Sequence, residues 1–143
     1  MMAMLHIPAL GAKSEIAVYE GRTEESLDLG SWHYPGTASA GEPGNFVALG
    51  HRTTRPAPFH DLHLLKRGDR IEAADSAGTY TYKVVEIRVT SSSDRRIVDP
   101  GSFGTLRGSS GRYLTLVTCH PLGSSAKRLV VVAEQAVPVS GKR

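Results

Sequence analysis

The sequence of 143 residues has little cysteine and no long apolar run. Its single cysteine, Cys119, excludes a disulfide within the chain, so cysteine content does not indicate a cellular compartment. The apolar start Met1–Leu5 is followed by His6 and Pro8, far short of the roughly 20 apolar residues that a membrane-spanning helix needs. It also lacks the basic start and the cleavage site of a signal peptide. We therefore expect that any export or anchor segment of the natural protein is missing from this chain.

Motifs of several common enzyme classes are absent as well. No GxSxG, P-loop or GxGxxG sequence occurs, so serine hydrolase and nucleotide-binding functions have no support. His60 and His63 are three residues apart, but without HExxH spacing or a second cysteine they do not predict zinc. We predict no metal and no cofactor.

The charge of the chain is only mildly basic. A net charge of +3 and a pI near 9.2 are explained by a solvated surface as well as by an anionic partner. The sequence has neither an aromatic and basic platform nor an RNP-like run, so we expect no nucleic-acid partner.

What is present predicts an all-β domain. Glycine and proline fall between short runs of β-branched or aromatic residues, without long helical periodicity, which is typical of a barrel or sandwich. Residues 1–143 are expected to form one domain. The predicted strands are Ile16–Tyr19, Phe46–Leu49, Arg70–Ala74, Tyr80–Val89, Tyr113–Thr118 and Leu129–Glu134. The turn residues Asp75–Gly78 indicate that Arg70–Val89 is a hairpin, and the apolar run Leu129–Val132 indicates a strand covered on both faces.

One short helix and one long loop are predicted between these strands. The helix is expected at Phe59–Lys66, with Leu62 and Leu65 facing the core and Gly68 placed to end it. The stretch Ser91–Gly111 is about 20 residues long, and such lengths commonly belong to a functional flap or hide a short element.

The segment Thr115–Cys119 ends in the only thiol, and Arg128 follows nine residues later. Two strands joined by an irregular loop would place the thiol where the first strand ends and the guanidinium where the second begins. This predicts a nucleophile beside a fixed positive charge. The alternative is structural, because a lone cysteine is most often a buried small apolar residue.

A catalytic thiol needs a base, since an ordinary cysteine is only a few per cent thiolate at neutral pH. Among the six histidines, His51 is the best candidate because it directly follows the apolar strand residues Phe46–Leu49 and Gly50. His120 adjoins the thiol in sequence and is expected to point elsewhere. A histidine at a strand end can equally be an ordinary surface residue.

These residues together resemble the sortase family of cysteine transpeptidases. Thr115–Cys119 is similar to the TLxTC signature of the family, Arg128 stands at the expected distance, and Gly50-His51-Arg52 looks like its histidine motif. A finer resemblance is to the class E sortases of high-GC Gram-positive bacteria, through His33–Thr37 and Gly41–Asn45.

The resemblance implies a closed eight-stranded β-barrel with one or two short helices and a long loop before the cysteine strand. Ser91–Gly111 matches the loop that forms one wall of the substrate groove, where Ile97 and Val98 would contact the substrate. Class A enzymes often bind calcium there, but the required acidic cluster is not evident, which again predicts no metal.

By the same resemblance, Cys119 is the nucleophile, His51 the proton donor and acceptor, and Arg128 the group that holds substrate and stabilises the oxyanion. Tyr34 is implied to favour a Leu-Ala-any-Thr-Gly signal over Leu-Pro-any-Thr-Gly, or else to pack against the barrel. Thr118 is expected to contribute through its hydroxyl or backbone, or only to pack within its strand.

The implied function is cleavage of a C-terminal sorting signal between threonine and glycine through a thioacyl intermediate, followed by transfer to a cell-wall amine. The implied partners are surface proteins with that signal and a peptidoglycan-precursor amine. The protein would act as a monomer on the outer face of the cell membrane or in the cell wall, held to the membrane only by an anchor absent from this chain.

Three alternatives stay open at this point. The enzyme could polymerise pilins through a lysine nucleophile, or it could be a plain cysteine peptidase whose acceptor is water. From another class, the chain could be a non-catalytic basic β-barrel that binds anions or nucleic acid.

Overall fold

The computed structural model describes residues 2–13, 15–20, 30–51, 59–98, 111–120 and 126–135. Within these ranges, eight strands close into a barrel in the order β1-β2-β3-β4-β7-β8-β6-β5. The strands are β1 Ala3–His6, β2 Glu15–Glu20, β3 Ser31–His33, β4 Gly44–Leu49, β5 Arg70–Asp75, β6 Gly78–Ser91, β7 Arg112–His120 and β8 Lys127–Gln135. Short 3-10 helices occur at Pro8–Lys13, Leu62–Leu64 and Arg95–Val98.

Most neighbouring strands are antiparallel, but β2 pairs with β3 and β4 pairs with β7 in parallel. The β4–β7 pairing joins distant parts of the chain, from Gly44 opposite Arg112 to Leu49 opposite Val117. On the other side of β7, β8 runs antiparallel to it over eight positions. Strands β4, β7 and β8 therefore form one continuous wall of the barrel.

Side chains of this wall alternate between two hydrophobic clusters, as the two-residue period of a strand requires. The inner face contributes to the main core, with Phe46, Leu114, Leu116 and Val131 fully buried. The outer face carries a second, smaller cluster. It consists of Val47, Val117, Val130 and Val132, covered by Ile97.

The predicted fold class is confirmed, and all six predicted strands are present, each one or two residues longer at one or both ends. The hairpin is confirmed as β5 and β6, with the Asp75 carboxylate accepting hydrogen bonds from the backbone of Ala77 and Gly78. Strands β1 and β3 were not predicted, because four and three residues are too few to show a clear alternation.

The predicted helix Phe59–Lys66 is wrong in type and extent. Only Leu62–Leu64 forms a 3-10 turn, because the backbone is already extended at Leu65. The expected orientation of its apolar residues is nevertheless confirmed, since Leu62 and Leu65 are buried in the main core. In the described part of the chain, no helix has the length and apolar character that crossing a membrane would require.

Candidate active site

Cys119 and Arg128 lie directly opposite each other, one residue from the end of β7 and one residue from the start of β8. Opposite residues of an antiparallel pair project to the same face, so both side chains stand on the outer face of the wall. Arg128 Nη1 lies 4.0 Å from Cys119 Sγ and 3.1 Å from the carbonyl oxygen of Lys127. Both side chains are half-buried. The expectation that thiol and guanidinium meet at one end of the sheet is therefore confirmed.

The residue before His51 is fixed to β7 by two hydrogen bonds. Gly50 donates its N–H to the carbonyl oxygen of Val117 at 3.2 Å, which extends the parallel β4–β7 pairing beyond Leu49. The hydroxyl of Thr118 donates to the carbonyl oxygen of Gly50 at 2.8 Å. Thr118 is only 3% exposed, so these bonds are shielded from water. The end of β4 is thus held to the end of β7.

This attachment sets the position of His51. Continuing the register of β4 and β7 by two residues places His51 beside Cys119, on neighbouring backbones that are about 4.8 Å apart. The His51 ring also makes an edge-on contact with Trp32, with 5.5 Å between ring centroids. The site therefore brings together imidazole, sulfur and guanidinium from three adjacent strand ends.

Two adjoining cavities lie over this face. The first, of about 400 Å³, contains the reactive groups, and the second, of about 540 Å³, extends from them along the outer face. The residues that line both are Tyr34, Leu49, Val117 and Arg128. The first is also lined by Trp32, Pro35, Gly50, His51, Thr118 and Cys119. The second is also lined by Val47, Ser92, Ser93, Asp94, Arg95, Ile97 and Val98. Because they share four lining residues, the two cavities form one groove. The reactive groups lie in the first cavity, and the polar residues Ser92, Ser93, Asp94 and Arg95 line the second.

All seven residues predicted for the site line this groove, but they do so in different ways. Tyr34 is 42% exposed and stands where the two cavities join. Ile97 and Val98 line only the second cavity, together with Ser92–Arg95. These residues are called the far wall of the groove below. Thr118 borders the reactive end, and its hydroxyl is engaged with the Gly50 carbonyl.

The far wall is fixed to the barrel by a buried polar connection. Asn45 donates from its side-chain nitrogen to the carbonyl oxygen of Ile97 at 2.9 Å. Thr115 donates its hydroxyl to the side-chain oxygen of Asn45 at 2.6 Å, which orients the amide for that bond. The Ile97 side chain meanwhile packs on the outer cluster. One wall residue is therefore held by both its backbone and its side chain.

A carboxylate secures the start of the same wall. Asp94 accepts hydrogen bonds from the Arg96 side chain and backbone at 2.7–3.0 Å, and from the Thr90 hydroxyl at 2.5 Å. The Arg96 guanidinium, followed by the Thr90 hydroxyl, holds the pKa of Asp94 well below its usual range. The ionised carboxylate thus joins the end of β6 to the 3-10 helix Arg95–Val98.

Within the described ranges, no three histidine, cysteine or acidic side chains are placed to share a metal ion. Residues 52–58, 99–110 and 121–125 lie outside the described residues. Arg52 of the histidine motif and most of the predicted loop Ser91–Gly111 therefore lie outside them too.

Several residues that line or support the groove were not singled out as site residues from the sequence. They are Trp32, Leu49, Asp94 and Val117 in its lining and Asn45 behind Ile97. Asn45 did carry a signal, because it is a polar residue next to a run of four apolar residues in β4. The others depend on pairings between distant segments, which no local pattern reveals.

Comparison with known proteins gives a consistent result. A family model described as a sortase domain matches residues 5–136. The chain is 36% identical over 137 residues to sortase SrtE1 of Streptomyces coelicolor, and 29% identical over 135 residues to sortase D of Bacillus subtilis. These alignments cover 90% and 92% of this chain, respectively.

The solved structure of sortase E from Streptomyces avermitilis has a TM-score of 0.82 and 36% identity to this chain, covering 99% of it and 93% of the solved chain. The chain spans only 38% of the length of the S. coelicolor relative and 62% of that of the B. subtilis relative. The similarity thus concerns the part of each relative that aligns with this chain.

Proposed function

Because the chain belongs to the sortase family, we propose that it is a cysteine transpeptidase that cleaves a C-terminal sorting signal between threonine and glycine. The observation that supports this most is the meeting of Cys119 Sγ and Arg128 Nη1, 4.0 Å apart, in a groove that His51 also lines. A packing cysteine would not require a guanidinium and an imidazole on neighbouring strand ends.

In the first half of the reaction, the Cys119 thiolate attacks the carbonyl carbon of the signal threonine and forms a carbon–sulfur bond. The carbonyl oxygen takes the negative charge, and the Arg128 guanidinium donates hydrogen bonds to it. Arginine is suited to this role because it stays charged and cannot act as a base. The carbon–nitrogen bond to glycine then breaks, and protonated His51 gives its proton to the departing amine. The product is a thioester on Cys119.

The second half reverses these roles. An incoming amine attacks the thioester carbonyl carbon, neutral His51 takes the proton from that amine, and the carbon–sulfur bond breaks to release the Cys119 thiolate. The new bond is an amide. Splitting the exchange in this way lets the enzyme retain the energy of the cleaved bond in the thioester.

The groove suits an extended, mainly apolar peptide. Tyr34 stands at the junction of the two cavities, while Ile97 and Val98 offer apolar contacts beyond it. From the similarity to class E sortases, we assign the Leu-Ala-any-Thr-Gly signal as preferred over Leu-Pro-any-Thr-Gly, with Tyr34 contributing to that preference. Thr118 takes part by holding Gly50, and hence His51, in place.

The substrates are then surface proteins with such a signal, and the acceptor is a peptidoglycan-precursor amine. The reaction would take place on the outer side of the cell membrane, where these partners occur. The pilin-polymerising alternative has the same chemistry with a lysine side chain as the acceptor.

The test is mass spectrometry of reactions that contain both signal peptides and a panel of amines, including a peptidoglycan-type amine and a lysine side chain. We expect a peptide–amine product cut after threonine, more from the Ala signal than from the Pro signal. Cys119→Ala should give none. Product from Cys119→Ala would move the nucleophile elsewhere, and release only by water would indicate a peptidase.

A further inference from the structure

The residues Tyr34–Thr37 form a tight turn whose sequence determines its shape. Proline in the second position and glycine in the third are the residues of a type II turn, and Gly36 has the required positive φ of 88°. The turn is closed by the Thr37 N–H, which donates to the Tyr34 carbonyl oxygen at 3.2 Å. The Tyr34 N–H donates to the carbonyl oxygen of Val47 at 2.9 Å. The backbone of Tyr34 is thus fixed, while the residue is 42% exposed and lines both cavities.

Beneath this turn lies His33, which is only 5% exposed. Its Nε2 atom is 3.0 Å from the carbonyl oxygens of both Thr37 and Ala38, and 2.9 Å from the Thr37 hydroxyl. The hydroxyl donates its own hydrogen to the Tyr34 carbonyl oxygen at 2.7 Å, so it accepts from Nε2. Two oxygens of Thr37 and the carbonyl oxygen of Ala38, the residue after the turn, therefore converge on one nitrogen of His33.

The other side of the ring is held separately. His33 Nδ1 lies 3.2 Å from both carboxylate oxygens of Glu20, at the end of β2. The ring also makes an edge-type contact with Phe46 in the main core, with centroids 5.4 Å apart. An imidazolium satisfies both sides at once, because each nitrogen then carries a hydrogen. His33 therefore connects the fixed barrel to the turn that presents Tyr34.

We propose that His33 is a positioning residue for recognition of the sorting signal: it sets the place of the Tyr34 ring in the groove and thereby the discrimination between signal peptides. Since the groove's role in signal binding is itself the proposed function, this role of His33 rests on it. His33 lines neither cavity, so it does not touch the peptide and acts only through the turn.

Two substitutions of His33 test the two ring nitrogens separately, because each keeps a hydrogen-bond donor at the position of only one of them. In His33→Gln the amide nitrogen reaches the position of Nε2 and can still donate to the turn, whereas in His33→Asn it reaches only the position of Nδ1, toward Glu20. We expect His33→Asn to reduce the preference between the Ala and Pro signals about tenfold, mostly through KM, which is less than the ~10²-fold that a misplacement of about 1 Å can cost. His33→Gln should retain most of the preference.

The preference is measured in two ways. Anisotropy of labelled signal peptides gives the ratio of Kd values in a Cys119→Ala background, and thioester formation gives the ratio of kcat/KM with Cys119 present. Should the protein form no thioester while the Kd ratio still changes in His33→Asn, the proposed reaction fails and the role of His33 stands. If the thioester forms normally but His33→Asn changes neither the Kd ratio nor the kcat/KM ratio, the role of His33 is overturned and the proposed reaction stands.

A second pair of variants protects the test against a folding defect in His33→Asn. Thr37→Val removes the hydroxyl that links His33 Nε2 to the Tyr34 carbonyl, and Thr37→Ser keeps it. Only the valine variant should shift the ratio of Kd values between the two signal peptides.

Combining His33→Asn with Tyr34→Ala gives the decisive double-mutant cycle. If His33 acts through Tyr34, His33→Asn changes the ratio of Kd values little further in the Tyr34→Ala background. A change of full size in that background contradicts the proposal.

Discussion

The inner and outer faces of β4, β7 and β8 are made by alternate residues of the same strands, yet they differ in composition and exposure. On the inner face, apolar residues such as Leu116 and Val131 are fully buried. On the outer face, valines are buried in the middle, but His51, Cys119 and Arg128 are half-buried at one end.

This difference shows how a barrel can support chemistry. The inner face supplies the apolar burial that fixes the strand register, and the register in turn places the outer side chains opposite one another. Reactive groups can then be held at fixed positions without being sealed from a substrate. Stability and reactivity are therefore expected to respond to separate substitutions on neighbouring positions.

The largest effect on stability is expected from the inner face. Leu116→Ala removes a fully buried side chain and should lower the free energy of unfolding by about 2–5 kcal/mol, with thioester formation retained in the folded fraction. Leu64→Ala is the matched control, because that leucine is 50% exposed and should change stability by less than about 0.5 kcal/mol. Denaturant titration measures both. Equal losses of unfolding free energy in the two variants would mean that burial in the barrel does not determine the cost of the substitution.

The largest effect on reactivity is expected from the outer face. Arg128→Lys keeps the charge but loses the planar pair of donors, and should reduce kcat/KM about 10²–10³-fold with little change in unfolding. Arg70→Lys, at an exposed ion pair on β5, should behave as the unsubstituted protein. Near-normal activity of Arg128→Lys would exclude Arg128 from stabilising the transition state.

A smaller effect is expected where the two faces are linked. Thr118→Val removes the hydroxyl bond to Gly50 while keeping the shape of the side chain, and should lower kcat about tenfold by loosening His51. Thr118→Ser restores the donor and should restore most of the rate. Identical rates for the valine and serine variants would show that the hydroxyl is not needed.

The smallest effect concerns the far wall. Asp94→Asn weakens the bonds to Arg96 and Thr90 and should raise KM about threefold, with kcat kept. Because the folded-state pKa of Asp94 is lowered, its stabilisation is complete above the unfolded value near 3.9 and is lost as pH falls through the folded value. The difference in unfolding free energy between the two proteins should therefore narrow below about pH 4. Denaturant titrations at several pH values measure this difference in unfolding free energy. A difference that stays constant below about pH 4 would contradict the prediction.

The two faces also differ in how far the sequence could predict them. Alternation and turn residues identified the six longer strands. The nine-residue spacing placed Cys119 and Arg128 at the same end of the sheet, where the structure pairs them. Strands β1 and β3 escaped because they are short, and the helix near Leu62 was overestimated because apolar spacing does not show where the backbone becomes extended.

The contacts around the groove were less predictable, for a physical reason. His51 could be ranked above the other histidines from its strand, but its place beside Cys119 depends on a parallel pairing between segments almost 70 residues apart. The hydrogen bonds of Thr118, Asn45 and His33 depend on side-chain directions set only after the barrel closes. Local patterns carry no record of such contacts.

The most direct test of a reactive outer face is to locate the thioester. The protein is incubated with the Ala signal peptide without added amine, quenched in acid, digested and sequenced by mass spectrometry. We predict an added mass equal to the peptide up to its threonine, carried by Cys119, and a loss of that adduct in His51→Ala. A peptide mass on another residue, or a Cys119 thiol that stays unmodified while the signal is cleaved, would contradict this account.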